Sequence, residues 1–194
     1  MRIEQRADGL HISGYVNVTG KFSRPVITPH GKVIETIEER AFEKALSRGG
    51  NVTLELDHDS SHVYANTSDG TLLLREDAIG LHADVTITDP LIIEMAKKGK
   101  IRGWSFGMYN VSDELEQRSE SLPVRHVRDF TLDHVSLIKD KVPCYSATSV
   151  EVRADAEVDV EIRTLEISPE VSGFPDFSDY EERIRRLASS IQGN

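Results

Sequence analysis

"GWSFGM", residues 103–108, decides how the middle of the chain is read. Trp104, Phe106 and Met108 alternate with Ser105, Gly107 and Tyr109. That period belongs to a strand with one face in a core. The other face carries Ser105 beside small Gly103 and Gly107. A strand anchored by bulk on one side and bare but for a hydroxyl on the other can present that hydroxyl to an open groove. Glycines on a strand leave room for another backbone to come close.

Upstream, "PLIIEMAKKGKI" predicts a helix. Thr88-Asp89-Pro90 supplies a capping side chain and a proline in the first turn, and Lys97, Lys98 and Gly99 suit its end. The strand-turn-helix order of an α/β-hydrolase elbow is reversed here, so "GWSFG" is not read as that motif. Downstream, "RDFTLDHVSLI" reads as a second strand, with "SDELEQRSESLP" between the two as an exposed polar loop. Nearer the start, "LHISGYVNV" alternates as a strand, with Gly14 a point of bulge or close approach. "SRPVITPHGK" reads as a loop. "ETIEERAFEKALSRGG" predicts a helix, capped by Thr36 and Glu39, with Ile37, Ala41 and Ala45 on one face and Phe42 beside them. "VTLELDHD" is a strand whose Val52, Leu54 and Leu56 share a face, with His58 next on that face. "TLLLRED" and "GLHADVTI" form a hairpin around Ala78-Ile79-Gly80.

The 194 residues allow one domain and a tail, or two small domains. A net charge of -10 is unsuited to neutralising phosphates or docking on anionic membrane. The single Cys144 admits no internal disulfide and reads as a small strand-end or turn residue in a reducing compartment. The opening "MRIEQRADGL" is charged, with no apolar run behind it. Residues 154–194 hold ten acidic and four basic side chains, a net of -6, which leaves -4 on residues 1–153. In that tail "VDVEIRTLEI" predicts an edge strand and "SPEVSGFPDF" a linker. "SDYEERIRRLASSIQ" predicts an amphipathic helix striped by Tyr180, Ile184, Leu187 and Ile191.

Of seven histidines, His58 stands out: it closes an apolar strand face between Asp57 and Asp59. Asp133 and His134 are neighbours on a strand, so their side chains are expected to face opposite ways and only one to join a cluster with Ser105 and His58. Either type can orient a base histidine by accepting a hydrogen bond from its second ring nitrogen. A carboxylate stabilises the transient imidazolium better than an imidazole does. A rival reading takes Asp57, His58, Asp59 and His62 of "DHDSSH" as a metal-dependent hydrolase centre. A second rival is a catalytically inactive scaffold or assembly protein, for which the acidic tail and its helix are suited.

Taken in order, the pieces resemble the prohead (capsid maturation) proteases of tailed bacteriophages, serine proteases related in fold to the herpesvirus maturation protease. "ISGYVNV" resembles their opening strand, and "SRPVI" with "VIETIEERAFEKAL" the segment after it. "LELDHD" resembles the histidine motif, followed by "GTLLLREDAIGLHADVTI". "GKIRGWSFGM" resembles the serine motif and "RDFTLDHVSLIKDKVPCYSATSVEV" the closing motif. The resemblance spans about residues 10–153.

It implies an α+β fold: a mostly antiparallel β-barrel core with several flanking helices, as a domain of residues 1–153, then the acidic tail of residues 154–194. It implies Ser105 as nucleophile and His58 as general base. The third family position, often glutamate, falls on His134, and the herpesvirus relatives use Ser-His-His; Asp133 stays open as the alternative. Arg125 and Arg128 are oxyanion candidates because the herpesvirus-type enzymes carry an arginine-bearing segment there. No cofactor or metal is implied. The implied substrates are the scaffolding segment of the major capsid protein and the protease itself. The implied place is the assembling procapsid in the host cytoplasm, with neither nucleic acid nor membrane as partner. The herpesvirus relatives require dimerisation, so a homodimer is a further expectation.

Overall fold

One strand, β10 (Val124–Ile138), carries the architecture of the computed structural model, which describes residues 1–29, 31–139, 143 and 145. Before it in chain order come β1 (Arg2–Arg6), β2 (Gly9–Val18), β3 (Val26–Thr28), β4 (Gly31–Ile37), α1 (Ala41–Ser47) and β5 (Thr53–Leu56). Then follow β6 (Ala65–Asn66), β7 (Leu72–Glu76), β8 (Gly80–Ile87), α2 (Pro90–Lys97) and β9 (Gly103–Glu116). Along one edge β10 pairs antiparallel with β9 over nearly its whole length. Its other edge is shared end to end: β4 runs parallel to Val124–Val127 and β5 parallel to His134–Leu137. Strands β3 and β6 extend that sheet, and a second sheet has the order β1-β2-β8-β7.

The fold is thus α+β and mostly antiparallel, as the motifs imply. The barrel is not: neither sheet closes on itself, since β1 and β7 end one sheet and β3, β6 and β9 the other among the described residues. Closure needs the first and last strands to pair. The helices among the described residues number two, fewer than expected. The tail strand, the tail helix and Cys144 lie outside the described residues.

The core fills the Trp104 side of β9. Trp104 and Phe106 are each 1% exposed, and they share a face with Leu54, Leu56, Val135 and Leu137. Phe42 of α1 meets Phe106 and Phe130 edge to face, both at 5.1 Å between ring centroids. From the other sheet Gly14 comes so close that an added Cβ would stand 3.5 Å from the Trp104 indole nitrogen and 2.9 Å from the Met1 Cα. That is the close approach expected of Gly14. Burying a Trp or Phe contributes roughly 2–3 kcal/mol, so this face fixes β9 firmly.

Several local expectations give way to the observed strands. "ETI", residues 35–37, read as the start of a helix, is the end of β4. Its β-branched Val33, Ile34, Thr36 and Ile37 suit a strand, and parallel pairing with β10 selects it. Thr36 is therefore buried in the sheet and cannot cap α1. The cap comes from a distant residue: Glu76 of β7 accepts from the backbone N–H of Arg40 at 2.9 Å and of Glu43 at 2.6 Å. "SRPVITPHGK" holds β3, because β4 offers its Val26–Thr28 a hairpin partner. Ser112–Glu116, read as loop, extend β9. The opening residues form β1, which the charged sequence did not suggest. Helix α2 matches its forecast, with Asp89 Oδ1 accepting from Leu91 N at 2.8 Å and Ile92 N at 3.3 Å.

Where β4, β9 and β10 meet, Arg125 is 3% exposed. Its guanidinium pairs with Asp113 and, at 3.4 Å, with fully buried Glu35, which also accepts from the Tyr145 hydroxyl at 2.9 Å. Removing one partner of such a network strands a charge in the interior, at a cost of about 3–5 kcal/mol. Arg125→Met is expected to lower the unfolding free energy by about 3 kcal/mol in a denaturant titration; an unchanged midpoint would contradict this role.

Candidate active site

The polar face of the β5–β10–β9 layer carries the candidate residues. Directly paired residues share a face, so two rows form across the three strands: Glu55, Ser136 and Ser105, then Thr53, His134 and Gly107. Ser105, Ser136 and Glu55 are 3%, 0% and 3% exposed. Ser105 is therefore held on the expected face but buried, rather than open to a groove as expected.

His58 reaches this face by leaving its strand. Continued alternation from Leu54 and Leu56 would aim it into the core. Instead Asp57 and His58 both take left-handed backbone angles, φ 51° and 61°. Such angles are strained for residues with a side chain, and the strain is held by several bonds. Asp57 N donates to Leu137 O at 2.9 Å, and Asp57 Oδ1 accepts from Lys139 N at 2.9 Å. His58 N donates to Ser136 Oγ at 3.0 Å. The residue paired with Ser105 across β9 and β10 thus also holds the backbone of His58.

The two imidazoles then meet, His58 Nδ1 standing 2.7 Å from His134 Nε2 with the rings edge to face. His134 Nδ1 is 2.9 Å from Asp133 Oδ2. The expectation that only one of Asp133 and His134 joins the cluster is overturned. Leu132 pairs with Met108 and His134 with the very next residue, Gly107, so Asp133 is the extra residue of a β-bulge. A bulge breaks the alternation that would have sent Asp133 to the far face. The tautomers follow in order. The Asp133 carboxylate only accepts, so His134 carries its proton on Nδ1 and offers a lone pair at Nε2. His58 must then donate from Nδ1, which leaves its Nε2 unprotonated and basic.

Gly107 has a different use from the one expected. A Cβ there would stand 2.2 Å from Cε1 of His134, so the glycine makes room for the imidazole. Glu55, which sequence reasoning missed, lies beneath the pair, its Oε2 3.6 Å from His134 Nε2. Burial pushes its carboxyl above the usual range; the nearby His134 opposes this and Asp133 reinforces it. The signal available for it was its parity: within "LEL" it points away from the leucine core face.

The other candidates disperse. Arg125 lies eleven residues along β10 from Ser136, about 35 Å of extended chain, and Arg128 pairs with Glu38 and Glu114. Neither is placed to serve Ser105. Of the metal-ligand set, Asp57 binds the Lys139 backbone, Asp59 accepts from Ser61 N at 3.0 Å, and His62 faces Asp89. Among the described residues no helix is long and apolar enough to cross a membrane.

Against known proteins, the family model for caudovirus prohead serine proteases matches residues 1–161. No curated protein and no solved structure is matched.

Gly107→Ala is expected to drive the His134 ring off its place and break the 2.7 Å contact with His58. Imidazole NMR resonances of both histidines should shift; spectra identical to wild type would contradict the packing described.

Proposed function

The chain belongs to the caudovirus prohead serine protease family, and from that premise we propose that Ser105 is the nucleophile, His58 the general base and His134 its orienting partner. The observation that carries the reading is the 2.7 Å contact between the two imidazoles, on the face and next to the row that hold Ser105. Asp133 acts behind His134 by fixing its tautomer.

The reaction is acyl transfer. Ser105 Oγ bonds to a peptide carbonyl carbon as its proton passes to His58 Nε2, and the carbonyl becomes an alkoxide. Collapse expels the amine, which takes the proton from His58; water then repeats the sequence on the acyl-enzyme. While His58 is protonated, the charge is shared towards His134 through Nδ1–H. The Ser105 hydroxyl, 3% exposed, has to be uncovered before a peptide can meet it. The same burial favours a second reading, an assembly protein that keeps the fold without the activity. Its mark is absence of serine-directed labelling in every assembly state.

The substrate we propose is the scaffolding segment of the major capsid protein inside the procapsid, with self-cleavage as a second event. The acidic residues beyond 153, net charge -6, are proposed to dock on capsid or scaffold.

Coexpression with the cognate major capsid protein tests this. Wild type should shorten the capsid protein and its own band, and Ser105→Ala neither; processing that persists in Ser105→Ala would remove the reading. His58→Ala should cost about 10²- to 10⁴-fold in rate, His134→Ala less, and exposed Asp133→Asn least. A reversed order would contradict the series.

A further inference from the structure

We propose that Glu55 is a positioning residue of this reaction, its buried carboxylate balancing the positive charge that forms on the His58–His134 pair when Ser105 attacks. The inference rests on the reading of Ser105 and His58 given above.

Three observations carry it. Glu55 stands in one cross-strand row with Ser136 and Ser105, on the polar face of the sheet. Its Oε2 is 3.6 Å from His134 Nε2, the atom that also meets His58 Nδ1 at 2.7 Å. And that Oε2 is buried without a hydrogen bond. A carboxylate with one buried oxygen left unbonded, its other support being the Thr53 side chain, is a burden on the fold. A positive charge beside that oxygen relieves it.

Such a charge visits during catalysis. With both imidazoles neutral, Glu55 faces the lone pair of His134 Nε2 and gains nothing. Once His58 has taken the serine proton, the pair is cationic and the carboxylate attracts it across a dry site. The attraction is therefore greater in the transition state than in the ground state, the condition for raising a rate. Glu55 also supplies the charge that an imidazole orienting a base lacks. Asp133, on the far ring nitrogen of His134, is exposed and screened; Glu55 is not.

The groups that bear on Glu55 are His134 and Asp133 from β10, His58 and Asp59 from the turn after β5, and Thr53 on its own strand. Among these the histidine pair alone can become cationic. Burial raises the Glu55 carboxyl in the folded chain, so the sign for stability runs one way. Between the unfolded and folded titrations the native state holds more protons, and stability falls as pH rises through the folded value. Glu55→Gln removes that loss.

The test is the pH profile of inactivation by a small fluorophosphonate, for wild type and Glu55→Gln, with denaturant unfolding of both at pH 8. Removing a carboxylate lowers the affinity of the histidine pair for a proton. The expected result is a plateau rate lower by about 10- to 100-fold, and an acid limb moved to lower pH by roughly one unit. Stability at pH 8 should equal or exceed wild type. An unmoved limb, an unchanged plateau, or a variant that unfolds more easily or does not fold overturns the inference. Ser105→Ala and His58→Ala separate the two readings. If either still reacts as wild type, the site assignment fails. If both are inert while Glu55→Gln behaves as wild type, only the role of Glu55 falls.

Discussion

A single bond between two imidazoles, 2.7 Å from His58 Nδ1 to His134 Nε2, organises this molecule. To make it, one ring must leave the β5 strand through two consecutive left-handed residues, and the other must sit over a glycine on β9. Neither arrangement is favoured locally. Both are held because β10 lies between β5 and β9 and bonds to each. The aromatic core on the far side, with Trp104 and Phe106 each 1% exposed, keeps the three strands in register while the polar face carries the strain.

The same layer explains the division of labour between its faces. Alternation sends leucine, valine and aromatic side chains one way, and serine, glutamate and histidine the other. The polar groups are then nearly sealed, in a setting where electrostatic interactions are strong and unmet ones are costly. Glu55, Ser136 and Ser105 share one cross-strand row, and His134 stands in the next with its Nε2 3.6 Å from the Glu55 carboxylate. That fits a family whose members are prohead serine proteases, with a reaction that needs charge to appear and vanish in place. It also fits a resting state in which the hydroxyl is covered.

How much of this was readable in the sequence varied with the range of the forces involved. The alternation of Trp104 and Phe106 with Ser105 and Gly107 is local, and it correctly gave strand, core face and hydroxyl face. Asp89-Pro90 likewise announced α2, because a cap is made within one turn. The fold class followed from the order of motifs, but the open sheets did not, since closure depends on which edges pair. Thr36 and Glu39 imitated a capping box, yet pairing with β10 made that stretch a strand and Glu76 supplied the cap from afar. At the candidate site, Ser105 and His58 stood out by type and neighbourhood, while the choice of His134 over Asp133 came from the family resemblance. Their assembly was not legible. The left-handed turn at Asp57 and His58 interrupts the alternation that pointed His58 inward, and the bulge at Asp133 brings to His134 a carboxylate that strict alternation would send away. Glu55 passed unnoticed because a charged residue between leucines on a strand ordinarily faces solvent.

One buried serine hydroxyl as the reacting group, activated by the imidazole pair, is the central proposal. Intact-mass and peptide mass spectrometry of the full chain after exposure to a fluorophosphonate addresses it directly. The account predicts one adduct per chain, located on Ser105 and lost when His58 is replaced by alanine. An adduct on another residue, or one on Ser105 that forms at the same rate without His58, would contradict it.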